Sequence, residues 1–133
     1  MNEKVHGYGA RVVWEGNRGA GTSDYADYDR RFRVSVEGKP DLVGSADPAF
    51  RGEAHMLNPE ELLLAAVSSC HMLFYLALCA RSGITVLQYA DAARGVLKVL
   101  PGGGGRFQDV TLHPRVTISP RSDPAAAAAS PAE

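Results

Sequence analysis

Two cysteines, Cys70 and Cys79, are the residues of this chain best suited to covalent chemistry. They lie nine residues apart within residues 62–80, LLLAAVSSCHMLFYLALCA, a run of 19 that is almost entirely apolar. A thiol in such a run is either a nucleophilic or redox centre, or a small buried hydrophobe. On a helix, nine residues turn the direction by roughly 900° and advance it by roughly 13.5 Å. The two thiols then point to opposite sides, and a disulfide needs Cα atoms within about 7 Å. They cannot bridge within one intact helix, and Cys79 is expected to be a buried bystander. Glu60 precedes Cys70 by ten residues, roughly 15 Å of helix. It reaches a Cys70 only if two antiparallel helices from two subunits lie side by side. His71 points about 100° away from Cys70 around the axis, so it is expected as a pocket or core residue and not as a base. Met72 and Phe74 read as core, with a share in lining a pocket. No Cys/His spacing suits zinc, and no metal or cofactor is expected.

The elements around these residues are legible. Asn58-Pro59-Glu60-Glu61 places an N-cap side chain, a proline at the first helical position and two acids in the first turn, where they complement the helix dipole. Arg81 falls in the last turn and Gly83 at the C′ position. One helix over about residues 59–82 follows. Before it, residues 9–14 (GARVVW), 32–36 (FRVSV) and 42–44 read as short strands, and residues 16–30 and 45–58 as loops, the first with room for a strand at its end. After it, residues 84–99 suggest one long or broken strand, residues 101–105 (PGGGG) a turn, and residues 106–119 an antiparallel return in which Pro114 demands an edge or a bulge. The segment 121–133, RSDPAAAAASPAE, is low in complexity and is expected to be a disordered tail after a single domain over residues 1–120. The class is α+β, an antiparallel β-sheet wrapped around a long central buried helix.

A helix apolar on all sides either spans a membrane or is buried all round. Ser68, Ser69 and His71 in mid-run, and strands on both flanks, favour burial. One sheet covers only one side of a helix, so the other side requires a partner, and a second copy of the same helix is the simplest. A homodimer is expected, with no membrane partner.

Composition narrows the function classes. The chain has 133 residues and a formal net charge of -1, with a pI near 6.4. That excludes the strongly basic character of domains that bind nucleic acid by phosphate neutralisation. Two cysteines exclude a disulfide scaffold and suit a reducing compartment. The start, MNEKVHGYGA, has no apolar core of signal-peptide type, so a cytoplasmic location is expected.

Asn58-Pro59-Glu60-Glu61-Leu62 followed by Ala65-Ala66-Val67-Ser68-Ser69-Cys70 resembles the OsmC/Ohr family, the osmotically inducible and organic hydroperoxide resistance proteins. Trp14-Glu15-Gly16 with Gly21-Thr22 looks like the family's first hairpin, and Arg106-Phe107 through Arg115-Val116 like its strand after the helix. The resemblance covers about residues 8–119. It implies an intertwined homodimer and a peroxidase that reduces organic hydroperoxides to alcohols. On that resemblance Cys70 is the peroxidatic cysteine, an arginine supplies a cation beside it, and Glu60 orients that arginine from the other subunit. Arg51 in PAFRGE is the favoured match for the arginine, and Arg18 in GNRGAG the alternative. A solvated loop arginine is the plain alternative for both.

The resemblance also implies a resolving cysteine on a later helix, where this chain instead runs into SDPAAAAASPAE. Cys79 does not match it. A Cys70 sulfenic acid is then expected to need an external thiol or dithiol reductant. Two further readings compete: a catalytically weak dimeric binding module that keeps the apolar pocket, and an acyl-thioester hydrolase of hot-dog type, which leaves a mid-helix cysteine unexplained.

Overall fold

A computed structural model of the protein describes residues 3–129. It divides into two compact units, Met1–Leu62 and Leu63–Glu133, which are described separately.

The first unit is a three-stranded antiparallel sheet, β1 (Arg11–Trp14), β2 (Phe32–Ser35) and β3 (Leu42–Gly44), in the order β1-β2-β3. Val12 faces Val34 and Trp14 faces Phe32. Beyond β1 the pairing continues as Glu15 donates to the Arg31 carbonyl at 2.8 Å and Asp29 to that of Gly16 at 2.9 Å. Gly16 is required there, because a Cβ would stand 1.8 Å from the Asp29 oxygen. The connecting loop holds no strand at its end. Its turn is set by Asn17, whose side-chain oxygen accepts from the backbone of Gly19 and Gly21 at 2.8 and 2.9 Å. Such local bonds let a polar loop keep one shape.

From β3 the chain enters an ordered loop. Ser45 is fully buried; its N–H donates to the Leu57 carbonyl at 2.9 Å and its hydroxyl accepts from Glu53 N–H at 3.1 Å. A short 3-10 turn, Pro48–Phe50, is capped by the Asp47 carboxylate.

The helix α1 (Pro59–Arg81) begins with a reciprocal cap. Glu61 N–H donates to Asn58 Oδ1 at 2.9 Å, and Asn58 N–H donates to Glu61 Oε1 at 3.0 Å. This is a capping box, which satisfies two backbone donors that a helix start leaves unpaired. At the far end Gly83 takes a left-handed φ of 75°, and Ile84 N–H closes on the Cys79 carbonyl at 2.9 Å. That six-residue closure is the glycine stop of a Schellman motif.

The second unit continues with β4 (Val86–Asp91), β5 (Arg94–Val99), β6 (Gly105–Thr111) and β7 (Pro114–Ile118). β5 pairs with β6 and β4 with β7, all antiparallel. The segment expected as one long or broken strand is therefore broken at residues 92–93, and its return is broken opposite, at residues 112–113. Pro114 sits at that break, facing Asp91, where its missing N–H removes no ladder bond. Asp91 covers the break: its Oδ1 accepts from His113 N–H at 2.6 Å.

The unstructured tail expected over 121–133 differs from the structure. Pro124–Ala129 forms a short helix, α2, started by Asp123, whose Oδ1 accepts from Ala125 N–H at 3.0 Å. Low complexity hid a helix signal, since Asp-Pro is a cap followed by a first-turn proline and alanine has the highest helix propensity. Residues 130–133 lie outside the described residues. The core of this unit joins Tyr75, Cys79, Ile84 and Ala127, with Val86, Tyr89, Val116 and Ile118 packed against them.

Candidate functional site

Helix α1 has a covered side and an open one. His71, Tyr75 and Cys79 are buried. Leu64 shares their side and lies against Gly95 of β5, where an added Cβ would meet Leu64 Cδ2 at 2.9 Å. Ser68 is on the same side, and its hydroxyl donates to Asp91 Oδ2 at 2.6 Å. These positions recur at steps of three and four, as one side of a helix requires.

The other side carries Leu63, Val67, Cys70, Leu73 and Phe74, all exposed in the single chain. Only 17% of the most apolar stretch of α1 is buried, although the helix is long and apolar enough to cross a membrane. The two cysteines thus part company. Cys79 is 1% exposed, whereas Cys70 is an exposed free thiol in the middle of an apolar stripe. Phe74 lies on this stripe one turn from Cys70, and Met72 is half-buried.

Glu60 and Glu61 have separate jobs although they are neighbours. The capping box occupies Glu61, while Glu60 is half-buried and forms no salt bridge among the described residues. Continuity of α1 sets Glu60 roughly 15 Å along the axis from Cys70 of the same chain, so the structure does not bring the two together within one subunit.

Arg51 follows the 3-10 turn with φ 64°, and among the described residues it is the non-glycine residue with positive φ. Its N–H donates to the Pro48 carbonyl at 3.0 Å. On the next residue, Gly52, a Cβ would stand 1.7 Å from the Ala46 oxygen, so the backbone there is held tightly while the Arg51 side chain projects outward. A left-handed arginine is a conformational cost of the kind found at functional loops. Arg51 has no salt bridge among the described residues, whereas Arg18 pairs with Asp29 at 3.0 Å. Arg51 belongs to the first compact unit and Cys70 to the second.

Polar features unread in the sequence emerge on the covered side. Tyr75 donates its hydroxyl to the Ala127 carbonyl at 3.0 Å, and His71 stacks on Tyr75 with ring centroids 6.4 Å apart. Desolvation, then the neighbouring Cys79, pushes the Tyr75 phenol up to about 12. Burial, then the Asp91 charge, also raises that of Tyr89. No group of three or more His, Cys, Asp or Glu that would hold a metal occurs among the described residues.

The fold and site define an α+β protein with an exposed free thiol in the middle of a long capped helix, with antiparallel strands before and after that helix in the chain. The profile of the OsmC-like protein family matches residues 52–131, and the chain belongs to this family. Among solved structures, an OsmC-like protein of unknown function from Vibrio cholerae is 30% identical, with a TM-score of 0.79, covering 90% of this chain and 80% of that one. An organic hydroperoxide resistance protein from Elizabethkingia anophelis has a TM-score of 0.61 at 18% identity, covering 86% of this chain and 73% of that one. An OsmC-like protein from Mycoplasma pneumoniae has a TM-score of 0.64 at 17% identity, covering 92% of this chain and 74% of that one. The last two likenesses are of fold. No curated protein matches the chain significantly.

Proposed function

We propose that the protein is a thiol-dependent reductase of organic hydroperoxides acting as a cytoplasmic homodimer, with Cys70 as its reactive thiol. The observation that carries this reading is the exposure of Cys70 at the centre of the apolar stripe of α1, within the family's helix motif. The stripe suits two purposes, pairing with α1 of a second subunit and receiving the alkyl part of a hydroperoxide. The Cys70 thiolate attacks the distal peroxide oxygen. The O–O bond breaks, the alkoxide leaves and takes up a proton as the alcohol, and Cys70 becomes a sulfenic acid. An external thiol then condenses with it, releasing water and leaving a mixed disulfide, and a second thiol displaces Cys70 in its reduced form. Cys79, buried and directed elsewhere, takes no part. Arg51 supplies the cation that favours the thiolate, and Glu60 of the opposing subunit orients it.

Consumption of an alkyl hydroperoxide with a dithiol, measured for the wild type and Cys70→Ser, tests the reading. Equal consumption sinks it and leaves a binding module without a redox cycle. The dimer has its own test in light scattering. The mass expected is twice that of one chain at micromolar concentration, and a monomeric mass removes the shared site.

A further inference from the structure

The covered side of α1 holds a cavity of about 450 Å³ that includes neither Cys70, Glu60 nor Arg51. Its walls include His71 and Tyr75 of α1, Tyr89 of β4, Val116 of β7 and Ala127 of α2. Pro114, Pro124 and Ala128 stand at the same cavity and are exposed, so water and a guest reach it past them. The volume lies within the range of small-molecule sites, about 300–1,000 Å³.

His71 is the polar side chain that this cavity leaves without a partner. It is 5% exposed and stacks on Tyr75. Beyond that stacking, neither ring nitrogen has a hydrogen bond or an ion pair among the described residues. Both nitrogens keep accessible surface beside the cavity, whereas the Tyr89 hydroxyl is sealed. The Tyr75 hydroxyl is engaged, since it donates to the Ala127 carbonyl at 3.0 Å. A buried polar group without a partner is costly and rare. A guest therefore finds apolar and aromatic walls and one side chain free to bond it, the His71 imidazole.

The imidazole also sorts guests by charge. Among the described residues no Asp, Glu, Lys or Arg lines the cavity. Asp91, outside the wall, already accepts from Ser68 and from His113 N–H. An ammonium would be buried with no anion to meet it. An alcohol would make one neutral bond. A carboxylic acid does better, because an imidazole accepts from an acid O–H and, once protonated, donates to a carboxylate. The pair is neutral overall whichever partner holds the proton, so no net charge is buried. Its bond is charge-assisted, roughly twice as strong as a neutral one. The second carboxyl oxygen can face the water at the exposed prolines.

We infer that this cavity binds a small carboxylic acid with an apolar body, its carboxyl group paired with the His71 imidazole and its body against the rings and aliphatic walls. The inference is independent of the peroxidase reading, since it uses none of that site's residues.

The test is titration of the full chain at neutral pH with benzoate, benzyl alcohol and benzylamine, which share a ring and differ in charge, followed by NMR. Saturable benzoate shifts are expected at the His71 ring and at the Val116 and Ile118 methyls. Benzoate should bind about five-fold more tightly than benzyl alcohol, the difference between a charge-assisted and a neutral bond, and benzylamine most weakly. His71→Leu should cost benzoate at least ten-fold and abolish its advantage over the alcohol. His71→Gln, which keeps a polar side chain but cannot take up the proton, should abolish that advantage too, and guards against a misfolded His71→Leu. Absence of saturable benzoate binding overturns the inference, as does equal affinity for the three probes. So do benzoate shifts at His113, beside the exposed Arg94 and Arg115, in place of His71, or an unchanged preference in a folded His71 variant.

Discussion

Ser68 and Asp91 join the middle of an apolar helix to the end of a strand by a 2.6 Å hydrogen bond. The same carboxylate holds the backbone of His113 on the return strand at 2.6 Å. One acid therefore fastens helix, strand and strand break together. The hydroxyls in the apolar run, read from sequence as an argument against a membrane span, include one with a definite structural task. Ser68→Ala should destabilise the fold by about 1.5 kcal/mol, the lower end for bonds to charged acceptors. Urea unfolding measures this, and an unchanged midpoint would show the bond to be dispensable.

The neighbours Glu60 and Glu61 should respond differently to the same change. Glu61→Ala breaks the capping box and should cost about 1 kcal/mol of stability, with little loss of the proposed peroxidase activity per folded molecule. Glu60→Ala should leave the melting temperature within a degree or two, because no cap depends on it, and should cut hydroperoxide turnover at least ten-fold. Thermal melts and turnover on both variants decide it. The reverse pattern would remove Glu60 from the site.

Arg51 offers a separation of backbone from charge. Glycine adopts a left-handed φ without the Cβ penalty of about 1 kcal/mol. Arg51→Gly should therefore fold at least as stably as the wild type while losing most of the proposed peroxidase activity. Arg18→Ala, which removes an exposed and already paired cation, should keep that activity. Denaturation curves with steady-state rates check both arms. Full activity in Arg51→Gly would return this residue to an ordinary solvated loop.

Tyr75 predicts an alkaline limit to stability. Its phenol titrates near 10 when unfolded and near 12 in the fold. Below about pH 10 both states are protonated and the contribution is fully present. As pH rises from about 10 toward 12, the unfolded state ionises first and stability falls, by up to ~1.4 kcal/mol per pH unit. Tyr75→Phe should flatten that decline, while also losing the bond to the Ala127 carbonyl. Denaturant midpoints across this range, with tyrosinate absorbance as the titration signal, provide the measurement.

Much of this molecule is written locally. Asn58, Pro59 and Glu61 start α1, and Gly83 stops it, through hydrogen bonds between residues only a few positions apart. Those bonds depend on contiguous residue types, so the helix ends were legible within one residue. The strands β1 to β3 and the family motif through Cys70 were legible for the same reason. The helix α2 was equally local, yet its Asp-Pro start was obscured by the alanines that follow.

What the sequence left open was covering and pairing. An all-round apolar helix does not say which side the sheet covers, because every side would gain from burial. The opposed directions of Cys70 and Cys79 were readable from their spacing, but only the packing of Tyr75, Cys79 and Ile84 against β4, β7 and α2 decided which elements cover Cys79. Strand pairing across 20 or more residues likewise depends on which partners compete, and no local pattern records that Asp91 would reach both Ser68 and His113. The cavity beside Tyr89 is the extreme case. It is the space left where alanines meet a wall of rings, and a void has no residue of its own to be read.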